Sequence, residues 1–385
     1  MKKAMAVLLM CLCLSACAAP AETSGILGQA SGLGEDEILL TVDGREVPAW
    51  RYLYWLAYTC DRVAERYRDA GTVLDWQAPL DGGTLADYAK DQALADTALY
   101  ATVENWAERY GCQLSEQERQ TAGNDWEQRA GEQGYLEKLA HLGLDRERAL
   151  ELNEVGALYA KLCALADQPD SPLAPAKEAL DAFAAEDGYM TVDRVLVAAG
   201  EDRGAAREKA AEAFAKLNGA EDQGSVFDAL AKAGDDPAGP RTILPGDGQL
   251  SRELEEAAQT LEVGQCSGIL ESDEGFSILR RLPPETAELV ENYFDSRLQE
   301  AAAGARTTLS GAYEQLDAAS FYKKLEALRE KKRRSEPRPA GKEGDGFRQG
   351  DENRKCFVKD LTKLRESGSF PLTRHGKETI IISMR

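Results

Sequence analysis

The sequence contains almost no histidine. Only His141 and His375 occur among its 385 residues, although imidazole is the commonest metal ligand and the most frequent general acid or base in proteins. The eight cysteines include no C-x-x-C pair, so the usual spacings of zinc ligands are missing too. The sequence therefore argues against metal catalysis through imidazole ligands, and nothing in it suggests a metal site or another cofactor.

Cysteine chemistry is sparse in the same way. Five cysteines lie beyond the N-terminal segment, at wide spacings: Cys60, Cys112, Cys163, Cys266 and Cys356. Cys60 and Cys163 fall on apolar faces of predicted helices, which favours buried free thiols. Disulfide bonds are the alternative.

The only long apolar run is too short to span a bilayer as a helix. Lys2-Lys3 precede the apolar stretch Ala4–Leu14, which predicts an export signal in residues 1–17. The ending Leu14-Ser15-Ala16-Cys17 resembles the lipobox of bacterial lipoproteins, and the resemblance implies that Cys17 is lipidated and becomes the new N-terminus. The alternative is an ordinary cleaved signal with an incidental cysteine. Residues 18–35, rich in Ala, Gly and Ser, predict a flexible tether.

Positive charge is scarce outside the C-terminal end. The formal net charge is −21, and residues 331–385 alone carry 15 basic against 8 acidic side chains, which leaves 31 against 59 for residues 1–330. Phosphate binding needs clustered cations, so the acidic body argues against nucleic acid as a partner. Anionic lipid would also repel it, which suits a body held off a membrane by a tether.

Residues 36–186 are predicted to be mostly helical. They open with two strands, Ile38–Val42 and Arg45–Val47, joined by Asp43-Gly44, a dipeptide suited to a tight hairpin turn. Apolar residues at spacings of three and four then predict helices. The first predicted helix begins after Pro48, and the second spans 84–110. A third begins at the capping box Ser115-x-x-Glu118, and two more span 135–142 and 146–165.

Three motifs of this half occur in an informative order. They are the hairpin V-D-G-x-x-V, the helix end E-R-Y-G-C-Q-L-S-E-Q-E and the segment G-L-D-R-E-R-A-L-E-L. In this order they resemble the N-terminal chaperone region of SurA/PrsA-type extracytoplasmic foldases. The resemblance implies a lobe that binds unfolded, newly exported polypeptides. An unrelated helical bundle is the alternative.

Residues 187–284 are predicted to form a separate α+β unit. A strand is predicted at 189–197, followed by helices at 205–217 and 226–233. After the loop 235–248 come a helix at 250–261 and two strands, 266–270 and 276–282. About a hundred residues in this pattern can fold alone.

This unit resembles the parvulin-type peptidyl-prolyl isomerases along nearly its whole length. The matching segments are Arg194–Val197, Gly234–Pro237, Gly246–Leu250, Glu253–Ala258, then Leu261, Gly264 and Ser267, and finally Gly275–Leu279. The resemblance implies isomerisation of Xaa-Pro peptide bonds, with Asp236 keeping the family's acidic position. It also implies a peptide-binding pocket. The residues predicted for that pocket are Gln249, Leu250, Leu254 and Phe276.

The departures from the family fall at the chemistry. Two histidines of the family correspond to Arg194 and Ser277, and Leu250 and Leu254 replace the usual methionine and phenylalanine. If Arg194 points into the pocket, a charge-assisted hydrogen bond to Asp236 is expected. Such a pair either rebuilds a polar floor or fills the pocket. The sequence thus leaves open whether the domain catalyses or only holds peptides.

A further helix is predicted from Thr286 through Arg334, with its apolar stripe packed back on the N-terminal helices. Residues 335–385 have the composition of a basic, partly disordered tail.

The sequence as a whole predicts an α+β protein, a mostly helical SurA/PrsA-like lobe built from both flanks with a parvulin-like domain inserted between them. The predicted function is a lipid-anchored extracytoplasmic foldase of the peptidyl-prolyl isomerase type, and the alternative is an inactive holdase or assembly lipoprotein. A solute-binding lipoprotein is disfavoured, because the alternating strand-helix pattern of two doubly wound lobes is missing.

Overall fold

The structure is a computed structural model, and it describes residues 25–80, 82–132 and 134–335. The predicted signal, the lipidation site Cys17, most of the tail, Cys356 and His375 lie outside these ranges. The predicted tether overlaps the described ranges at residues 25–35, where Ile26–Ser31 is helical and Leu27 is buried.

The described residues form helices and short strands in an α+β arrangement, as predicted. The helices are α1 Ile26–Ser31, α2 Ala49–Asp69, α3 Leu85–Arg109, α4 Glu116–Ala130, α5 Tyr135–His141, α6 Arg146–Ala166, α7 Lys177–Asp187, α8 Arg203–Asn218, α9 Gln223–Ala233, α10 Arg252–Thr260, α11 Val290–Ala303, α12 Gly311–Gln315 and α13 Ala318–Ser335, with a 3₁₀ turn at Thr286–Leu289. The strands are β1 Ile38–Val42, β2 Arg45–Pro48, β3 Pro79–Leu80, β4 Gly83–Thr84, β5 Met190–Ala198, β6 Arg241–Ile243, β7 Leu270–Ser272, β8 Gly275–Leu282 and β9 Thr307–Leu309.

Local signals predicted the N-terminal elements correctly. β1 and β2 form the expected antiparallel hairpin, and its turn residues Asp43 and Gly44 have φ angles of 49° and 87°, as such a turn requires. The capping box is present as well: the backbone N–H of Ser115 donates to Glu118 Oε2 at 2.7 Å, and the N–H of Glu118 donates to Ser115 Oγ at 3.3 Å.

The single helix predicted from Thr286 to Arg334 is wrong. α11 ends at Ala303, and β9 then pairs antiparallel with β1, with Leu309 opposite Leu40. The edge of β1 supplies backbone partners that a continuous helix would leave unused, so long-range pairing overrides the local helical pattern.

Two smaller differences occur in the parvulin-like segment. The predicted loop 235–248 contains the strand β6, which pairs with β5. The predicted strand at 266–270 is reduced to one bridge between Cys266 and Arg280, and regular pairing with β8 starts only at Leu270. A three-residue strand gives too short a pattern to be read from the sequence.

The chain divides into two compact units. The first comprises the described residues of Met1–Ala101, Gly123–Leu150 and Ala305–Ala340, and the second those of Thr102–Ala122, Glu151–Gly304 and Gly341–Arg385. Both units therefore draw on the two flanks of the chain, and the parvulin-like segment lies within the second.

In the first unit, α13 packs against α1 and α2, which confirms that the C-terminal segment returns to the N-terminal helices. Phe321 and Leu325 of α13 are fully buried. Arg329 binds both carboxylate oxygens of Asp61, at 2.8 and 3.1 Å, and Tyr322 donates to the same group at 2.9 Å. Burial raises the pKa of Asp61, but hydrogen bonds from His141 and Arg329 outweigh it and hold that pKa below its usual value. Charge and apolar packing together fix α13.

In the second unit, a four-stranded antiparallel sheet has the order β6-β5-β8-β7. One face carries Val195 and Ile278, which pack with residues of α8 and α9. The opposite face carries Val192 and Leu279, which pack with residues of β6 and α10. Because neighbouring residues of a strand point to opposite faces, the side chains of β5 and β8 are divided between two separate clusters.

Two of the predicted free thiols lie among the described residues. Cys60 is a buried free thiol, as predicted, whereas Cys163 is a free thiol that is only half-buried. In the part of the chain that the structure describes, no helix has the length and apolar character needed to cross a membrane. Nor do the described side chains bring together three or more groups that could hold a metal ion.

Candidate functional site

The site lies on the face of the sheet that α10 covers, where β5 and β8 run side by side. Arg194 of β5 stands opposite Leu279 of β8, and Ser277 stands opposite Leu196, two pairs further along. Alternation along each strand then places Arg194 and Ser277 on the face that also carries Leu279. The two residues that stand where the family has histidines are therefore neighbours on one surface.

Arg194 is the centre of this site, and its guanidinium is held from three sides. Its Nε donates to Ser277 Oγ at 3.0 Å, its Nη2 donates to Glu274 Oε2 at 2.5 Å, and its Nη1 lies 3.8 Å from Asp236 Oδ2. Only 8% of the Arg194 side chain is exposed, and Ser277 is fully buried. A buried guanidinium with fixed partners has one well-defined position.

Asp236 reaches this position because the loop before it is fastened to the end of β5. The backbone N–H of Asp235 donates to Leu196 O at 2.9 Å, and the N–H of Ala198 donates to Asp235 Oδ2 at 2.8 Å. A Cβ at Gly234 would lie 2.9 Å from Leu196 O, so a side chain there would push the loop away. Backbone contacts of the loop thus bring Asp236 to Arg194.

The expected charge-assisted hydrogen bond between Arg194 and Asp236 is wrong in its detail. At 3.8 Å the two groups form an ion pair that is too long for a hydrogen bond. The hydrogen-bonded partner of Asp236 is Arg241, whose Nη2 lies 2.6 Å from Asp236 Oδ2. The reason is the strand β6, which lies beside β5 and carries Arg241 toward the site.

The four residues predicted to bind peptide do not form one pocket, although Leu250 and Leu254 share a cluster. Leu250 and Leu254 are buried, at 7% and 1% exposure, inside the cluster that joins α10 to the sheet. Phe276 packs against α8 on the opposite face, with Ala206 and Ala210. Gln249 is exposed, and its side-chain amide donates to Asp247 Oδ2 at 2.9 Å. Leu250 and Leu254 therefore belong first to the core beneath the site, and Phe276 to a different core.

Two charged residues of the site, Arg241 and Glu274, were not among the predicted ones. Arg241 lies in the segment Gly239–Ile243, which stands where the resembled parvulin family has the glycine-rich sequence G-G-D-L-G. This departure is the one signal in the sequence that the segment differs from the family. Glu274 occupies the turn between β7 and β8, and the sequence offers no sign that it reaches Arg194, since that contact depends on the register of β5 and β8.

Together these four residues form what we call the charge floor: Arg194, Asp236, Arg241 and Glu274. Its two guanidinium groups and two carboxylates have formal charges that cancel. When an apolar peptide covers a group of side chains whose charges cancel, the free energy of desolvation is lower than for one unpaired ion. The arrangement can therefore present fixed polar groups to a ligand without imidazole.

The parvulin-like segment also matches a known protein family. Residues 166–282 match the family model of the PPIC-type PPIASE domain. This match confirms the resemblance to parvulin-type peptidyl-prolyl isomerases and includes every residue of the charge floor. Among curated proteins, none matches the sequence.

Solved structures provide further similarities. PrsA from Bacillus subtilis is 14% identical, with 80% of this chain and 96% of that chain covered and a TM-score of 0.24. The foldase protein PrsA from Streptococcus pneumoniae is 15% identical, with 73% and 98% covered and a TM-score of 0.25. A SurA-like chaperone of Campylobacter jejuni is 12% identical, with 69% and 92% covered and a TM-score of 0.20.

Proposed function

We propose that this protein is an extracytoplasmic foldase that isomerises Xaa-Pro bonds of unfolded, newly exported polypeptides. The observation that carries the proposal is the charge floor within a segment that matches the PPIC-type domain. Arg194 and Ser277 occupy the two histidine positions of the resembled family and still contact each other directly, at 3.0 Å. A polar pair is therefore retained where the family has one.

The chemistry of isomerisation does not require imidazole. Rotation about an Xaa-Pro bond meets a barrier of roughly 18–20 kcal/mol that arises from amide resonance, and no covalent bond is made or broken. An enzyme needs only to bind the twisted amide more tightly than either planar form. Fixed dipoles and charges that replace water around the amide can do this, provided that they are already in position. The three partners of Arg194 supply that fixed position.

The experiment that tests this function is the refolding of a client protein whose slow phase is limited by proline isomerisation. Catalytic amounts of the full chain are expected to accelerate that phase. The competing candidate is a holdase, favoured by the burial of Leu250 and Leu254, which leaves fewer apolar side chains for a proline ring. A holdase would suppress aggregation of the client without changing the rate of its slow phase.

The helical parts of the chain are proposed to form a chaperone lobe into which residues 187–284 are inserted. Contacts on both sides of the insertion support this arrangement. Leu180 of α7 packs with Leu289 of the 3₁₀ turn, and Thr286 Oγ1 donates to Asp181 Oδ1 at 2.9 Å. Both contacts join residues that flank the insertion, and Tyr189 and Leu244 of the insertion pack in the same cluster.

Deleting residues 187–284 and joining Glu186 to Glu285 through a short Gly/Ser linker is therefore expected to leave a folded helical protein. Circular dichroism should show retained helicity, and the shortened protein should still suppress aggregation of an unfolded client. The parent chain at equal concentration is the control. Loss of helicity would contradict the inserted arrangement.

A lipid anchor at Cys17 is proposed to hold the foldase at the extracytoplasmic face of a bacterial cell membrane. The support is the sequence Leu14-Ser15-Ala16-Cys17 after a basic and apolar segment. A diacylglyceryl group with a further acyl chain gives firm membrane attachment, whereas one chain gives only marginal binding.

Replacing Cys17 with serine is expected to release the protein from the membrane fraction or to leave it unprocessed. Fractionation of cells and the mass of the mature N-terminus measure this outcome. Cys60→Ser is the matched control, because Cys60 is a buried thiol within α2. A Cys17→Ser protein that is processed and membrane-bound like the parent would contradict the anchor.

A further inference from the structure

Glu274 differs from the other carboxylate of the charge floor in how it meets solvent. Its side chain is 65% exposed at the turn between β7 and β8, whereas that of Asp236 is 20% exposed. Arg194, to which Glu274 binds, is almost completely buried. Glu274 therefore covers a cation that has very little contact with water of its own.

The two carboxylates of the charge floor have different numbers of cationic partners. Asp236 Oδ2 lies 2.6 Å from Arg241 and 3.8 Å from Arg194, so its negative charge is divided between two cations. Glu274 binds Arg194 alone among the charged side chains of the floor. Without Glu274, one carboxylate would face two guanidinium groups, and the floor would carry a net positive charge.

We propose that Glu274 is a specificity-determining residue. It neutralises Arg194, so that the site does not require an acidic residue before the proline of the peptide that it binds. The proposal rests on the proposed binding of Xaa-Pro segments over the charge floor. A peptide carboxylate next to the proline meets a neutral floor in the parent protein. In a protein without the Glu274 charge, the same carboxylate would take its place on Arg194.

The test compares Glu274→Gln with the parent protein on three peptides of the form Ala-Xaa-Pro-Phe, in which Xaa is Glu, Gln or Lys. Glutamine keeps the size of Glu274 and a hydrogen-bond acceptor for Arg194 but removes the charge. The control is Glu271→Gln, on β7 of the same hairpin. Glu271 is similarly exposed and pairs with Arg203, outside the charge floor. Binding is followed by fluorescence anisotropy of labelled peptides, and isomerisation is followed separately on the same three sequences.

The ratio of affinities for the Glu and Gln peptides is expected to rise about threefold to tenfold in Glu274→Gln, as for one unit of charge near a protein surface. The Lys peptide should bind correspondingly more weakly. High salt should reduce both effects. Glu271→Gln should keep the parent's ratios.

Equal ratios in the parent and Glu274→Gln proteins would overturn the proposal, and so would a similar change in Glu271→Gln. The absence of measurable binding of all three peptides to both proteins would overturn it as well. A changed binding ratio in a protein that catalyses nothing would support the specificity role and reject the isomerase function. The two proposals can therefore fail separately.

Discussion

Replacing Asp236 with alanine is expected to lower isomerase activity about tenfold or more, which corresponds to a loss of about 1.4 kcal/mol of transition-state stabilisation. The substitution removes the one carboxylate that lies between Arg194 and Arg241. The two guanidinium groups then repel each other, and Arg194 loses one of the partners that hold it in place. Removing one partner of a fully buried pair costs about 3–5 kcal/mol. Because Asp236 is 20% exposed, we expect a smaller loss of stability, about 1–3 kcal/mol.

Two further variants separate a catalytic effect from a loss of folding. Asp228→Ala also removes a carboxylate that pairs with an arginine, but Asp228 binds Arg280, whose other partner Asp193 lies on the opposite face of the sheet. The Asp228→Ala protein should keep the parent's activity. Asp236→Asn keeps an acceptor for Arg241 and should recover part of the activity. Parent-like turnover by a folded Asp236→Ala protein would contradict a catalytic role for the charge floor.

Replacing Leu254 with alanine is expected to destabilise the parvulin-like domain by about 2–5 kcal/mol, as for other buried leucines. Leu254 is 1% exposed, and it packs in one cluster with Ile243 of β6 and Leu279 of β8. The cavity left by the smaller side chain would lie between α10 and the face of the sheet that carries Arg194. The midpoint of urea unfolding measures the loss, since the slope of the transition should stay the same.

Val263→Ala is the matched control for this variant. Val263 lies in the turn after α10 and is 58% exposed, so its truncation should change stability by less than about 0.5 kcal/mol. If Leu254→Ala instead kept a stability close to the parent's and lost much of its affinity for proline peptides, Leu254 would line the peptide-binding pocket that the sequence predicts.

The sequence predicts most of the local structure of this protein because local chemistry determines it. The dipeptide Asp43-Gly44 sets the first hairpin, and the capping box Ser115-x-x-Glu118 starts α4. The parvulin-like domain could be found because its motifs keep their order and spacing. Arg194 and Ser277 could be paired because the resembled family pairs the same two positions.

The features that the sequence did not reveal depend on contacts between distant segments. Leu309 lies in β9 rather than in a helix because β1 offers an open edge more than 260 residues earlier. Arg241 reaches Asp236 only because a three-residue strand pairs with β5. Glu274 contacts Arg194 across the register of two strands. The sequence predicts Phe276 in the peptide site, but its side chain lies on the face of the sheet opposite to that of Ser277 and the site.

The most direct test of the proposed isomerase is the rate of cis-trans exchange in a proline peptide, measured by exchange NMR with and without the full chain. The uncatalysed exchange takes about 10–100 s at 25 °C. The parent protein should accelerate it, and the double variant Arg194→His with Ser277→His should accelerate it further, because it restores the histidine pair of the resembled family on neighbouring strands. Exchange at the uncatalysed rate in the presence of the folded parent would contradict the proposal that the charge floor replaces the two histidines.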